Sequence, residues 1–153
     1  MIYGVRNKGN LPKLYHSLSS GIPYPFGNLK NKRSILAIEN LSYTIIQLLE
    51  SNAASDYFII SDDATISTSE MIDELFKETN NTYIRWGIPK FLIRTLIKFT
   101  SIIGIDTFNK LLGSLVVSNQ KIKKVLQIEK LPFDVRSSLN LLGRYMEINK
   151  REQ

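Results

Sequence analysis

The chain has 153 residues, a net charge of +6 and a sequence pI near 9.5, with 43% hydrophobic and 22% charged residues. That length supports one domain with a real core, and the composition is that of an ordinary soluble globular protein. The absence of cysteine excludes a disulfide framework, a thiolate zinc site and a cysteine nucleophile together, and fits the cytoplasm, which is the expected location. A basic excess favours anionic partners: nucleic acid, phosphorylated ligands or an anionic membrane surface. No aromatic-studded basic motif or recognition helix stands out, so nucleic acid is not expected. Met1 leads into a strand-like Ile2-Tyr3 without the basic start and apolar run of a secretory signal. The most apolar stretch, Phe91 to Ile103, is interrupted by Arg94 and Lys98 and is too short to span a bilayer.

Met1 to Gly4 reads as the tail of a strand running into a loop, Val5 to Gly9. Asn10 suits the cap of a helix from Leu11 to about Ser20, with Pro12 tolerated in the first turn and Gly21 ending it. Pro23 and Pro25 impose an extended segment from Gly21 to Gly27. Arg33 to Ile38 is strand-like, and Asn40 to Glu50 is helical, with Leu41, Ile45, Leu48 and Leu49 at helical spacing. Asp56 to Ser61 is predicted as a short strand. Ser67 or Thr68 caps a helix to about Thr79, whose buried stripe is Ile72, Leu75 and Phe76. Asn80-Asn81 makes a turn before a further strand at Thr82 to Trp86. Pro89 opens a long helix to about Ile103, a shorter one follows at Thr107 to Leu112, and Val116-Val117 is extended. The last helices are placed at about Gln120 to Leu126 and Phe133 to Asn149, with a frayed tail, Lys150 to Gln153. Residues 1–149 form one α/β unit, or part of one.

Several segments carry a pattern in order along the chain. They are Tyr3-Gly4 with Asn10-Leu11; Pro23-Tyr24-Pro25-Phe26-Gly27-Asn28; Arg33-Ser34-Ile35-Leu36-Ala37-Ile38-Glu39-Asn40-Leu41; Tyr57-Phe58-Ile59-Ile60-Ser61-Asp62 with Ser67 and Glu70; and Gly113-Ser114-Leu115-Val116-Val117-Ser118-Asn119-Gln120-Lys121. Together they resemble the C-terminal half of the NAD-dependent epimerase/dehydratase family, the extended short-chain dehydrogenase/reductases. The likeness is strongest to UDP-glucose and UDP-N-acetylglucosamine 4-epimerases and 4-keto-sugar reductases of surface-polysaccharide pathways. The departures are Val5 for proline after Tyr-Gly, Ser118 for aspartate, and Gln127-Ile128 for Gly-Trp. The family's nucleotide-binding Arg and Asp upstream of Asp-x-x-Lys fall near Phe108 and Leu111 and are unmatched.

The resemblance implies the substrate-binding portion of an extended Rossmann-type fold without its dinucleotide-binding N-terminal half. No Gly-x-x-Gly-x-x-Gly turn joins a strand to a helix, and no tyrosine has a lysine four residues on. In the intact family NAD(P) carries the hydride and that tyrosine the proton, so this chain alone is expected to bind no cofactor, to contain no catalytic residue and to be inactive. A separately encoded N-terminal half is one partner the resemblance suggests. A non-catalytic nucleotide-sugar-binding module is the alternative.

A nucleoside diphosphate needs positive charge, amide donors and a flat slot for the base. The resemblance assigns these to Arg33, whose planar fork matches phosphate oxygens, to Asn10 and the Leu11 amide at a helix start, and to Tyr24 and Phe26 beside the uracil. On the residues alone, the favoured reading of Arg33 is one of a solvated cluster with Lys30 and Lys32. Phe26 reads equally as core. Asp62-Asp63 lack a histidine partner and read as a turn and cap rather than a metal pair. His16, the only histidine, sits on an amphipathic helix with no triad or ligand set near it. Pro89 to Gly104 sets Lys90, Arg94 and Lys98 on one face of an otherwise apolar helix. That is the pattern of a surface element with a basic outer stripe, or of a peripheral helix on an anionic membrane.

Overall fold

The computed structural model describes residues 1–6, 10–24, 27, 29–87 and 113–151. The helices expected at Pro89 to Ile103 and Thr107 to Leu112, and Phe26, lie outside them. β1 (Ile2–Tyr3) pairs in parallel with β2 (Leu36–Ala37), Ile2 opposite Leu36 and Tyr3 opposite Ala37. Parallel strands require a crossover, and α1 (Asn10–Ser19) lies within it. Its Leu11, Tyr15 and Leu18 recur at i, i+4 and i+7 and are all buried. Asn10 is the first residue of this helix rather than the one before it. Gly21 follows its end at φ 87°, a left-handed conformation that glycine adopts without strain.

The strand expected over Arg33 to Ile38 is shorter than its sequence suggests. Ala37, at φ −65° and ψ 138°, ends the extended run, and Ile38 already opens α2 (Ile38–Glu50). The turn is fixed by Asp62, whose carboxylate accepts the Ala37 N–H at 3.0 Å. Arg33 itself bridges two other segments, antiparallel to Ile66 and parallel to Leu115. The strand expected at Asp56 to Ser61 does not form. Asp62 donates its amide to the Ile35 carbonyl, while Tyr57 stands almost wholly in solvent, so no ladder extends back along the segment. Thr82 to Trp86 likewise reduces to a parallel bridge between Tyr24 and Arg85.

α3 (Thr68–Lys77) begins with a full capping box. The Ser67 hydroxyl accepts from the Glu70 N–H, and the Glu70 carboxylate accepts from the Ser67 N–H at 2.8 Å. Those bonds hold the Glu70 carboxyl below the usual carboxylate range. The predicted stripe, Ile72, Leu75 and Phe76, is buried and faces α5 (Val135–Arg151), whose Leu139, Leu142 and Met146 complete the core. α5 starts at Val135 rather than Phe133 because the Asp134 carboxylate accepts the amides of Arg136 and Ser137. α4 (Gln120–Leu126) ends on Gln127 in the left-handed region, φ 54°. A non-glycine residue there is strained, so Gln127→Gly is expected to raise stability by up to ~1 kcal/mol in urea unfolding.

Two adjacent aspartates, expected as a turn and cap, are the joints of the fold. Asp62 is 4% exposed and accepts from the Tyr3 hydroxyl at 2.8 Å, the Ala37 amide and the Asn40 side-chain amide at 2.8 Å. Asn40, fully buried, also donates to the Phe133 carbonyl and accepts from the Phe133 amide, tying α2 to the start of α5. Asp63 accepts from Asn119, Lys123 and the Leu131 amide, each within 2.9 Å, and so anchors α4 and the loop after it.

Burial opposes the charge on Asp63, yet Lys123, Leu131 and Asn119 outweigh it and hold the carboxyl below its ordinary range. The folded pKa therefore lies below the unfolded one, about 3.9. This contribution is present above that value and is lost as pH falls through the folded pKa. Asp63→Asn is expected to lower stability at pH 7 and to flatten the acid limb below about pH 4, as read by urea unfolding at stepped pH.

Candidate functional site

Segment 29–34 is laced between the start of α3 and residues 113–117. Asn31 is the central tie. Its Oδ1 accepts the Thr68 N–H at 3.0 Å, and its Nδ2 donates to the Thr68 hydroxyl at 2.9 Å and to the Gly113 carbonyl at 3.3 Å. Lys32 donates its amide to the Ser114 hydroxyl and accepts the Leu115 amide. With the backbone held on both sides, Lys30 and Lys32 are exposed and lean over a cleft of about 790 Å³. Two of the amides that open α3, those of Thr68 and Glu70, are taken by Asn31 and Ser67, and the charged side chains lining the cleft are Lys30, Lys32 and Arg85 with Glu70 and Asp73.

Gly27 and Arg85 also line the cleft, and Tyr24 lies behind them. Tyr24 donates its amide to the Ile84 carbonyl and accepts from the Trp86 amide, and Gly27 donates to the Trp86 carbonyl. Arg85 acts as a strut: its Nε and Nη2 both donate to the Gly27 carbonyl, and Nη1 donates to both oxygens of Asp73 at 3.2 and 3.1 Å. Tyr83 also donates its hydroxyl to Asp73. A Cβ on Gly27 would fall against the Arg85 side chain, so this glycine is what lets the strut lie so close.

The residues expected at the site are distributed unevenly. Leu11 is a core residue, 2% exposed, which leaves only its backbone to meet a ligand. Tyr24 is equally buried and meets Tyr83 edge-on at 6.4 Å, so its ring belongs to the core beneath the loop. Arg33 is half-buried between Ile66 and Leu115, and is not among the described residues lining the cleft, whereas Lys30 and Lys32 are. Asn10 sits at the first turn of α1. Arg85 and Asp73 were not legible as a pair, since twelve positions separate them. The hint was an arginine inside a short extended run with tyrosine two residues before it.

Three of the tyrosines hold their protons more tightly than a free phenol. Burial, then the Asp62 charge, pushes the Tyr3 hydroxyl far up, and burial does the same for Tyr24. Burial and Asp73 push Tyr83 up to about 12. No trio of acidic or histidine side chains among the described residues could hold a metal. Among the described residues no helix is long and apolar enough to cross a membrane. At the end of β1, a Cβ on Gly4 would fall against the Ile38 side chain, so this glycine is what lets the start of α2 lie so close.

No protein-family model matches the chain. Among solved structures, a UDP-glucuronic acid 4-epimerase from Bacillus cereus in complex with NAD superposes with a TM-score of 0.64 at 13% identity, over 97% of this chain and 43% of that one. A UDP-glucose 4-epimerase from Thermotoga maritima with UDP-glucose gives 0.59 at 12% identity, over 99% and 44%. The fold is the C-terminal portion of an extended short-chain dehydrogenase/reductase, that of the NAD-dependent epimerase/dehydratases. In sequence the chain is similar to a UDP-glucose 4-epimerase of Vibrio cholerae, 32% identical over 129 residues. That match takes in 82% of this chain but 38% of the relative, so the chain spans well under half the length of the relatives it matches.

Proposed function

We propose that this chain supplies the nucleotide-sugar pocket of an NAD(P)-dependent UDP-sugar 4-epimerase, dehydratase or reductase of surface-polysaccharide biosynthesis, and has no turnover by itself. The observation that carries the reading is the cleft in which Lys30 and Lys32 face the loop that Arg85 holds at Gly27. Lys30 and Lys32 bring positive charge to the cleft. The family resemblance assigns Arg33 and the amides at Asn10 and Leu11 to the diphosphate, and Tyr24 and Phe26 to the base; none of them is among the described residues that line the cleft. The 32% identity to a UDP-glucose 4-epimerase supports the same substrate class. No residue of this chain is assigned to hydride or proton transfer. In the intact family NAD(P) supplies the hydride chemistry, and the dinucleotide-binding portion that would hold it is not part of this chain's fold.

Titration calorimetry with UDP and UDP-glucose tests the pocket. Micromolar binding is expected, weakened at least about tenfold, or ~1.4 kcal/mol, by Arg33→Ala or by the double change Lys30→Ala and Lys32→Ala. Arg85→Ala is expected to weaken it by a similar factor by releasing Gly27, with a modest loss of stability because the Arg85–Asp73 pair is about half exposed. No binding at millimolar UDP would remove the pocket reading. Robust UDP-sugar epimerisation by the isolated chain with added NAD would remove the claim of inactivity.

A further inference from the structure

α2 is turned inside out. It buries two polar residues, Asn40 and Thr44, while Ile38, Ile45, Ile46 and Leu49 remain 39%, 47%, 53% and 81% exposed. At 3.6 residues per turn these four fall on one face. They are the side of the helix that the spacing of Leu41, Ile45, Leu48 and Leu49 would have assigned to the interior. The face does not stop at the helix: Ile38 shares a hollow of about 290 Å³ with Ile2 and Val5, both also exposed. An apolar stripe directed outward marks a surface that is covered in the working molecule. The sheet gives the nature of the cover. Parallel strands occur with helices on both faces of a larger sheet, and two strands of two residues give a 13-residue helix too little sheet to lie on.

The matched relatives contain the rest. Nearly all of this chain superposes on them, and more than half of each relative has no counterpart in it. We propose that the outer face of α2, with Ile45 and Leu49 at its centre and Ile38 and Ile2 at its rim, is the docking surface for an α/β unit equivalent to that unmatched portion. The inference rests on the reading of this chain as the pocket-bearing portion of such an enzyme. It adds which surface meets the remainder and what chemistry that surface recognises: an apolar sheet face.

The test is co-expression of the full chain with the N-terminal portion of the Vibrio cholerae relative that lies outside the matched stretch, followed by co-purification and sedimentation velocity. A one-to-one complex is expected. The double variant Ile45→Glu and Leu49→Glu should weaken it at least tenfold while leaving the circular dichroism and melting of the isolated chain unchanged, since both side chains already face water. Ile46→Lys, a single change, gives the same direction if the double variant folds poorly. Leu141→Glu, on the exposed side of α5, should leave the complex intact. The proposal is overturned if the wild type does not associate, if the α2 variants associate equally well, or if Leu141→Glu is as damaging. It is also overturned if the stripe instead drives self-association of this chain. UDP titration of the chain alone is independent of all of these, so loss of the pocket reading and loss of the interface are told apart.

Discussion

Asp62→Ala is expected to destabilise the chain by about 3–5 kcal/mol, seen as a large fall in the urea midpoint. The carboxylate is buried and accepts from three separate elements: the Tyr3 hydroxyl on β1, the Ala37 amide at the β2–α2 junction and the Asn40 amide on α2. Truncation leaves all three donors without their acceptor in a region water does not reach, each at a cost of about 1–3 kcal/mol. Asp62→Asn keeps the shape but sets one amide against two N–H donors, and should cost about 2–3 kcal/mol. Tyr3→Phe removes a single donor and should cost nearer 1 kcal/mol. The ordering of the three variants is the check. Equal effects would mean that packing around Asp62, rather than its acceptor capacity, holds the junction.

Gly143→Ala is expected to be harmful where the same change in an open helix would help. In an unconstrained helix interior, alanine is favoured over glycine by roughly 0.5–1 kcal/mol. Here a Cβ would run into the Leu75 carbonyl oxygen and come within 2.9 Å of its carbon. Leu75 lies on α3, Gly143 on α5, and both belong to well-packed helices, so backbone must move to admit a methyl group. The expected net loss is about 2–3 kcal/mol. For a chain of this size that corresponds to a fall in Tm of roughly 5–10 °C by calorimetry. An unchanged or raised Tm would show that the helices can separate without loss.

The elements that could be read from sequence are those whose side chains announce both start and stop. α3 is the clearest case: Ser67 and Glu70 form the capping box, and Ile72, Leu75 and Phe76 mark the buried side. α1 and its Gly21 terminator are equally legible. The strands were not, because β1 and β2 are each two residues long and depend on partners far away in sequence. α2 misled for a different reason. Its apolar spacing is real, but the core takes the polar side, where Asn40 and Thr44 serve the network around Asp62. Of the site, the basic character around Lys30 to Arg33 was evident, but which of those side chains meets the cleft depends on how Asn31 pins the segment. The Asp73–Arg85 strut is a tertiary contact with no local pattern to reveal it.

The motifs that carried the family likeness turn out to be largely joinery. Tyr3, Asn40 and Asp62 meet each other, and Asn119 meets Asp63 and the Ser61 carbonyl. These residues hold segments together whatever ligand the cleft takes.

The Tyr3 hydroxyl also approaches the Val135 carbonyl, 132 positions along the chain, and Asn40 reaches Phe133 across 93. The first strand is therefore completed only when the last helix has arrived. Contacts of such separation make folding slow, because the loop between them must be closed before they contribute. On the ribosome, β1 and α2 emerge early and wait with their polar partners unmet until α5 is made. A stop anywhere before Val135 would leave the Tyr3–Asp62–Asn40 junction without its anchor, so truncated products should be recognised as unfolded rather than persist as a smaller stable domain.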